Sequence, residues 1–163
     1  MKAFEGKVVI VTGAARGLGR DYAKFFAQDG ANVVLADLQG MDSALADANA
    51  QNGGGRSIAV SADITNRASV EALMARTKEE FGRIDILINN AGIWRKIQDY
   101  GLVDIPDDLW RMAWAINVDG TLLCYQAALP YMKEGGFGRI VNISSMAASG
   151  SRNSYGLSKN VVE

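Results

Sequence analysis

Blocks of consecutive apolar residues alternate with amphipathic stretches along this chain. Val8-Val9-Ile10-Val11 is wholly apolar and wholly β-branched, the pattern of a parallel strand covered on both faces. A glycine-rich turn follows, then a helix-like stretch from about Leu18 to Gln28 that Asp29-Gly30 stops. Val33-Val34-Leu35-Ala36 predicts a second buried strand closing at Asp37. A polar, Ala-rich surface helix is expected over 41–51, a loop at Gly53-Gly54-Gly55, and a short strand at Ile58-Ala59-Val60 before Asp63. Residues 66–81 set Val70, Leu73, Met74 and Phe81 on one helical face. Ile84 to Ile88 predicts a fourth strand running into Asn89-Asn90-Ala91-Gly92. Residues 93–106 lack periodicity and read as a loop; 107–133 reads as helix in two pieces, with Pro130 near the end; Arg139 to Ile143 is a fifth strand. Regular alternation of strand and helix implies an α/β fold: a doubly wound parallel sheet with right-handed crossovers and helices on both faces. No repeat or second domain interrupts it, so residues 1–163 are expected to form one domain.

Composition narrows the chemistry. A chain of 163 residues that is 48% hydrophobic has enough material for a real core. A net charge of −1 argues against nucleic acid or an anionic membrane as the main partner. There is no histidine, which excludes Ser-His-Asp and Cys-His catalysis and His-ligated metal; no metal site is expected. Cys124 is the single cysteine, so no internal disulfide can form, and a reducing, cytoplasmic setting is expected. The apolar runs are too short to span a bilayer, and the N-terminus does not read as a signal peptide.

The first strand runs directly into Thr12-Gly13-Ala14-Ala15-Arg16-Gly17-Leu18-Gly19. Glycines at 13, 17 and 19 let the backbone turn sharply and approach a ligand, and the helix that starts there offers free N–H groups to an anion such as a pyrophosphate. An ordinary glycine-rich turn between strand and helix is the plainer alternative. Asp37 weighs against it. It ends the next strand, 18 residues after Gly19, where a carboxylate can accept hydrogen bonds from both hydroxyls of an adenosine ribose. The same carboxylate would repel a 2′-phosphate by about 4 kcal/mol at 4 Å at a surface-like dielectric, which favours NAD over NADP. Arg16 pulls the other way, since it could reach such a phosphate.

Taken in order, these segments resemble the short-chain dehydrogenase/reductase family. The shared features are the Thr-Gly-x-x-x-Gly-x-Gly spacing, the run Asn89-Asn90-Ala91-Gly92, Asn117 within a long helix, and Tyr155-Gly156-Leu157-Ser158-Lys159. The resemblance covers essentially the whole chain and implies a Rossmann-like fold. It also implies that Gly13, Arg16, Gly17, Leu18 and Gly19 contact the dinucleotide with Asp37, that Asp63 and Ile64 flank the adenine, and that Asn90, Ala91 and Gly92 line the cofactor. Members usually run considerably longer. By that measure the sheet would lack its last strands and the segments that cover the substrate, leaving an edge prone to association and a piece with little activity of its own.

Tyr155 and Lys159 lie four apart, on one face of a helix. A tyrosine at its ordinary pKa near 10 is a poor base, and a close ammonium favours phenolate by about 4 kcal/mol at 4 Å, roughly three pKa units before screening. Without the glycine loop, an amphipathic helix with both residues at its edge would be the better reading. Ser144 and Ser145 end the fifth strand at the carboxyl edge of the sheet, where ligands bind in open α/β folds. The family pattern selects Ser145 to orient the substrate oxygen, with Ser144 in reserve. Ser145 stands only 10 residues before Tyr155, about three fewer than the pattern expects, so the intervening loop is short. The resemblance implies that Asn117 holds a water linking the site to Lys159; by residue type alone it could equally be a helix-bending Asn beside Gly120. Trp110, Met112 and Trp114 read as core or subunit contacts.

The expected activity is hydride transfer between NAD(H) and a small secondary alcohol or ketone. Tyr155 is the general acid/base, Lys159 its electrostatic partner and a ligand for the nicotinamide ribose, Ser145 the orienting hydroxyl and Asn117 the relay. The family implies a homo-oligomer, a tetramer or dimer. A silent dinucleotide-binding fragment or sensor module is the alternative, and cofactor-retaining epimerisation or dehydration is a third reading.

Overall fold

The computed structural model describes residues 2–150 and 153–162. The order is β1 (Val8–Thr12), α1 (Gly17–Gln28), β2 (Asn32–Asp37), α2 (Asp42–Asn49), β3 (Ser57–Ser61), α3 (Arg67–Phe81), β4 (Ile86–Asn89), α4 (Asp107–Trp114), a π-helical turn (Ala115–Asp119), α5 (Gly120–Glu134), β5 (Arg139–Asn142), a 3₁₀ turn (Met146–Ser149) and α6 (Ser154–Asn160). All strand pairings are parallel, in the order β3-β2-β1-β4-β5. The chain winds outward from β1 to β3, then crosses back to lay β4 on the other side of β1. The carboxyl ends of β1 and β4 therefore flank the point where the winding reverses, the position at which open α/β sheets build their crevice.

Alternation along the strands separates two cores. Val9 and Val11 of β1, Val33 and Leu35 of β2 and Ile86 and Ile88 of β4 pack against Ala23 and Ala27 of α1 and Ala44 and Ala48 of α2. Ile10, Val34 and Leu87 face the other way, onto Val70, Leu73 and Met74 of α3 and Cys124, Ala128 and Met132 of α5. Burial on both faces is why β1 and β2 contain no charged residue before their carboxyl ends.

Some boundaries differ from the expectation. β4 begins at Ile86, not Ile84, because the Asp85 carboxylate itself takes the Val8 N–H at 2.9 Å, replacing a ladder bond. Arg83 grips that buried carboxylate from two nitrogens, at 2.8 and 2.6 Å. The expected two-piece helix over 107–133 is joined through the π-helical turn that contains Asn117, and Pro130 lies inside α5 without ending it. The glycine loop at 53–55 has a packing reason: a Cβ on Gly53 or Gly55 would collide with the carbonyl oxygens of Ala27 and Ala31. Among the described residues, no helix is long and apolar enough to cross a membrane.

Candidate active site

The loop between β1 and α1 is shaped by three glycines with different duties. A Cβ on Gly13 (φ +66°) would lie 2.8 Å from Ala91 Cα, and one on Gly19 only 2.2 Å from the Gly13 carbonyl oxygen. These two are small because the first turn of α1 presses on the loop and the loop presses on the end of β4. Gly17 (φ +56°) is left-handed with nothing within 4 Å of where a Cβ would stand, so its backbone faces outward unobstructed. The first N–H groups of α1 have no acceptor within the helix and, with its dipole, favour an anion. Arg16 precedes the helix in extended conformation with no side-chain cap; Arg16, Gly17 and Leu18 are all exposed.

Asp37 is half-buried at the end of β2. Its Oδ1 accepts the Leu38 N–H at 2.8 Å and its Oδ2 the Ala15 N–H at 3.0 Å. A carboxylate offers about four lone-pair sites, so two remain for hydroxyl donors. Asp63 is exposed beyond β3 and its Oδ1 accepts both the backbone N–H and the hydroxyl of Thr65. The Ile64 side chain is buried in the core beside Gly120, whose missing Cβ would lie 2.7 Å from Ile64 Cδ1. The Ile64 side chain is thus taken up by the core.

The end of β4 is laced to this loop. The buried Thr12 hydroxyl accepts the Asn90 and Ala91 N–H groups, each at 3.1 Å, and donates to the Ile88 carbonyl at 3.3 Å. Asn90 Nδ2 donates to the carbonyls of Thr12 and Gly13, at 2.9 and 3.2 Å. Asn89 donates to Asn142 Oδ1 across β4 and β5, and Asn142 Nδ2 donates in turn to the Val162 carbonyl. A Cβ on Gly92 would stand 3.1 Å from Asn117 Oδ1 and 3.3 Å from Lys159 Nζ, so the carboxamide and the ammonium converge on that glycine.

Asn117 is fully buried, and its side chain is committed to the protein. Oδ1 accepts the Ile93 N–H at 2.8 Å; Nδ2 donates to the Ile93 carbonyl at 3.1 Å and to Ser158 Oγ at 2.9 Å. The π-helical turn widens the helix at this point, a device frequent at functional sites. Ser158 donates onward to the Tyr155 carbonyl at 2.8 Å. α6 is α-helical from Ser154, which puts Tyr155, half-buried, and Lys159, 5% exposed, one turn apart on one face. The Lys159 ammonium donates to the Ile143 carbonyl at 2.8 Å, and burial lowers its pKa below that of an ordinary lysine. Ser144 Oγ donates to the Lys159 carbonyl at 3.2 Å, tying that serine to the helix backbone. Ser145 Oγ accepts the Ala147 N–H at 3.2 Å, which leaves its hydroxyl proton to donate. The short loop between Ser145 and Tyr155 contains the 3₁₀ turn; Ser151 and Arg152 lie outside the described residues.

Four contributors escaped the sequence reading: the Thr12 hydroxyl, Ser158, the Ile143 carbonyl and the tie from Asp37 to the phosphate loop. A signal existed for Ser158, since a serine inside a helix commonly bonds back to a carbonyl one turn earlier. The other three depend on which loop lands beside which strand end. Outward-facing Gly17, the N-terminus of α1 and the spare lone pairs of Asp37 together fit a dinucleotide. Among the described residues, no group of three or more His, Cys, Asp or Glu side chains could hold a metal ion.

A model of the short-chain dehydrogenase family matches residues 7–163. An uncharacterized oxidoreductase of Mycobacterium tuberculosis is 40% identical over 156 residues, covering 96% of this chain and 63% of the relative. Oxidoreductase UcpA of Salmonella typhimurium is 39% identical over 163 residues, covering 98% and 60%. Among solved structures, levodione reductase superposes with a TM-score of 0.91 at 30% identity, over 98% of this chain and 63% of that one. NAD+-bound xylitol dehydrogenase superposes at 0.89 with 30% identity, over 99% and 62%. The chain thus spans about three fifths of the length of each of these four proteins.

Proposed function

The chain belongs to the short-chain dehydrogenase family, and on that premise we propose that the complete protein moves a hydride between NAD(H) and a small secondary alcohol or ketone. The family uses a nicotinamide dinucleotide, which supplies the hydride acceptor or donor when bound. The observation that carries the reading is the meeting of Asn117 and Lys159 at Gly92, beside the glycine loop and one helical turn from Tyr155.

In this reading Gly13, Arg16, Gly17, Leu18 and Gly19 form the pyrophosphate end of the cofactor site, and Asp37 accepts the adenosine ribose hydroxyls. Asp63 and Ile64 flank the adenine; Asn90, Ala91 and Gly92 line the path to the nicotinamide. Tyr155 takes the hydroxyl proton in oxidation and returns it in reduction. Lys159 stabilises negative charge on the phenol oxygen and binds the nicotinamide ribose. Ser145, with a proton to donate, orients the substrate oxygen. Asn117 keeps α6 in place and, with Lys159, bounds the route by which the proton leaves. The preference for NAD rests on Asp37, whose negative charge opposes a 2′-phosphate; Arg16 is the residue that would moderate it.

Exposed Leu122 and Tyr125 on α5 and Leu157 on α6 support a homo-oligomer, and the single buried Cys124 suits a cytoplasmic setting. In the full-length protein, Tyr155→Phe should abolish NADH turnover across a panel of alcohols and ketones while NADH binding by fluorescence stays within twofold. Near-full activity in that variant would overturn the assignment. Binding without turnover in the parent protein would point instead to a silent dinucleotide module.

A further inference from the structure

Two consecutive amides fasten the phosphate loop to the end of β2. The Ala14 N–H donates to the Ala36 carbonyl at 3.2 Å, and the Ala15 N–H donates to Asp37 Oδ2 at 3.0 Å. The first bond is backbone to backbone and survives any substitution. The second depends on what stands at position 37. On either side of the fastened amides the loop contains Gly13 and Gly17, both left-handed, where glycine gives the backbone its widest freedom. A segment with two such joints keeps one conformation only if something between them holds it. Asp37 Oδ1 is anchored by the Leu38 N–H at 2.8 Å, so the carboxylate is itself held while it holds the loop.

We propose that Asp37 is a positioning residue for the phosphate loop as well as the acceptor for the ribose hydroxyls, so that one carboxylate couples the choice of cofactor to affinity for its diphosphate. The ligand half rests on the dinucleotide reading above; the tether does not. Two consequences follow. Exchanging Asp37 for a small residue to admit a 2′-phosphate also loosens the loop that must grip the diphosphate. Asparagine, which keeps one acceptor oxygen, retains part of the tether while losing the charge.

Backbone hydrogen exchange tests the tether with no ligand present. In Asp37→Ala the Ala15 amide should exchange roughly tenfold faster, and in Asp37→Asn by less, with melting temperatures confirming that both variants fold. Calorimetric titration with ADP and with 2′,3′-dideoxy-ADP tests the coupling. A carboxylate that only reads the ribose predicts weaker ADP binding and unchanged dideoxy-ADP binding in Asp37→Ala; a carboxylate that also sets the loop predicts that both weaken, dideoxy-ADP by at least threefold. Unchanged exchange at Ala15, or unchanged affinity for dideoxy-ADP, would overturn the proposal. If the parent protein bound neither nucleotide, the dinucleotide reading would fall, and the exchange rates alone would decide whether Asp37 sets the loop.

Discussion

Replacing Asn117 by Ala removes three hydrogen bonds at once from a fully buried site: two to the backbone of Ile93 and one to Ser158. At a net value of about 1 kcal/mol each, the loss is ~3 kcal/mol. Alanine is the better helix former and returns about 0.5 kcal/mol, which does not change the sign. The expected cost of ~2.5 kcal/mol lowers the melting temperature by roughly 5–10 °C for a chain of this size. Ser158→Ala breaks the shared bond and the one from Ser158 to the Tyr155 carbonyl, and should cost about 2 kcal/mol. Because that bond belongs to both residues, the double variant should cost less than the two single changes together, with a coupling of about 1 kcal/mol. Urea titration followed by tryptophan fluorescence reads all four corners of the cycle. Additive single changes, or an Asn117→Ala cost below about 1 kcal/mol, would refute the view that Asn117 staples the turn after β4 to α6.

Other expectations follow from the same geometry. Gly19→Ala puts a methyl 2.2 Å from the Gly13 carbonyl and 2.6 Å from the committed Asn90 amide, so it should cost about 2 kcal/mol and lower cofactor affinity at least tenfold by calorimetry. Gly92→Ala intrudes more gently, at 3.1 Å from Asn117 and 3.3 Å from Lys159; kcat should fall about tenfold and the Kd for NAD should rise by a smaller factor. Burial pushes the Cys124 thiol from 9.0 up to about 12, so it should resist thiol reagents until the chain unfolds. Between those two values the unfolded chain gives up the proton that the folded chain retains. Stability present below the ordinary value is therefore lost as pH rises through that window, and comparison with Cys124→Val in alkaline urea titrations isolates the effect.

The sheet was readable because its central strands are wholly apolar: Val8 to Val11 and Val33 to Ala36 leave little choice but strands covered on both faces. The turn after β1 was readable because left-handed and sterically crowded positions require glycine. The edge position of β5 followed from the family resemblance and not from the pattern of its residues. Ile140 and Val141 look like an interior strand, yet Val141 is 44% exposed because β5 has a neighbour on one side only. The candidate site residues were legible as residue types, and their attachments were not. Nothing in the run around Asn117 announces that its carboxamide grips Ile93, 24 positions earlier. Nothing around Lys159 names the Ile143 carbonyl. Such bonds are decided by which loop ends up beside which strand end, and no periodicity encodes that.

α6 presents Tyr155 and Lys159 on one face, and hydrogen bonds fix it to its surroundings. Lys159 on Ile143, Ser144 on the Lys159 carbonyl, Asn142 on the Val162 carbonyl and Asn117 on Ser158 hold it in place. Its order is borrowed, and the lenders are the strand end and turn beside it. Gentle heating should therefore release Tyr155 and Lys159 together while the sheet stays folded. If the proposed activity holds, it would then be lost at a lower temperature than the secondary structure, and cooling would restore both groups in a single step.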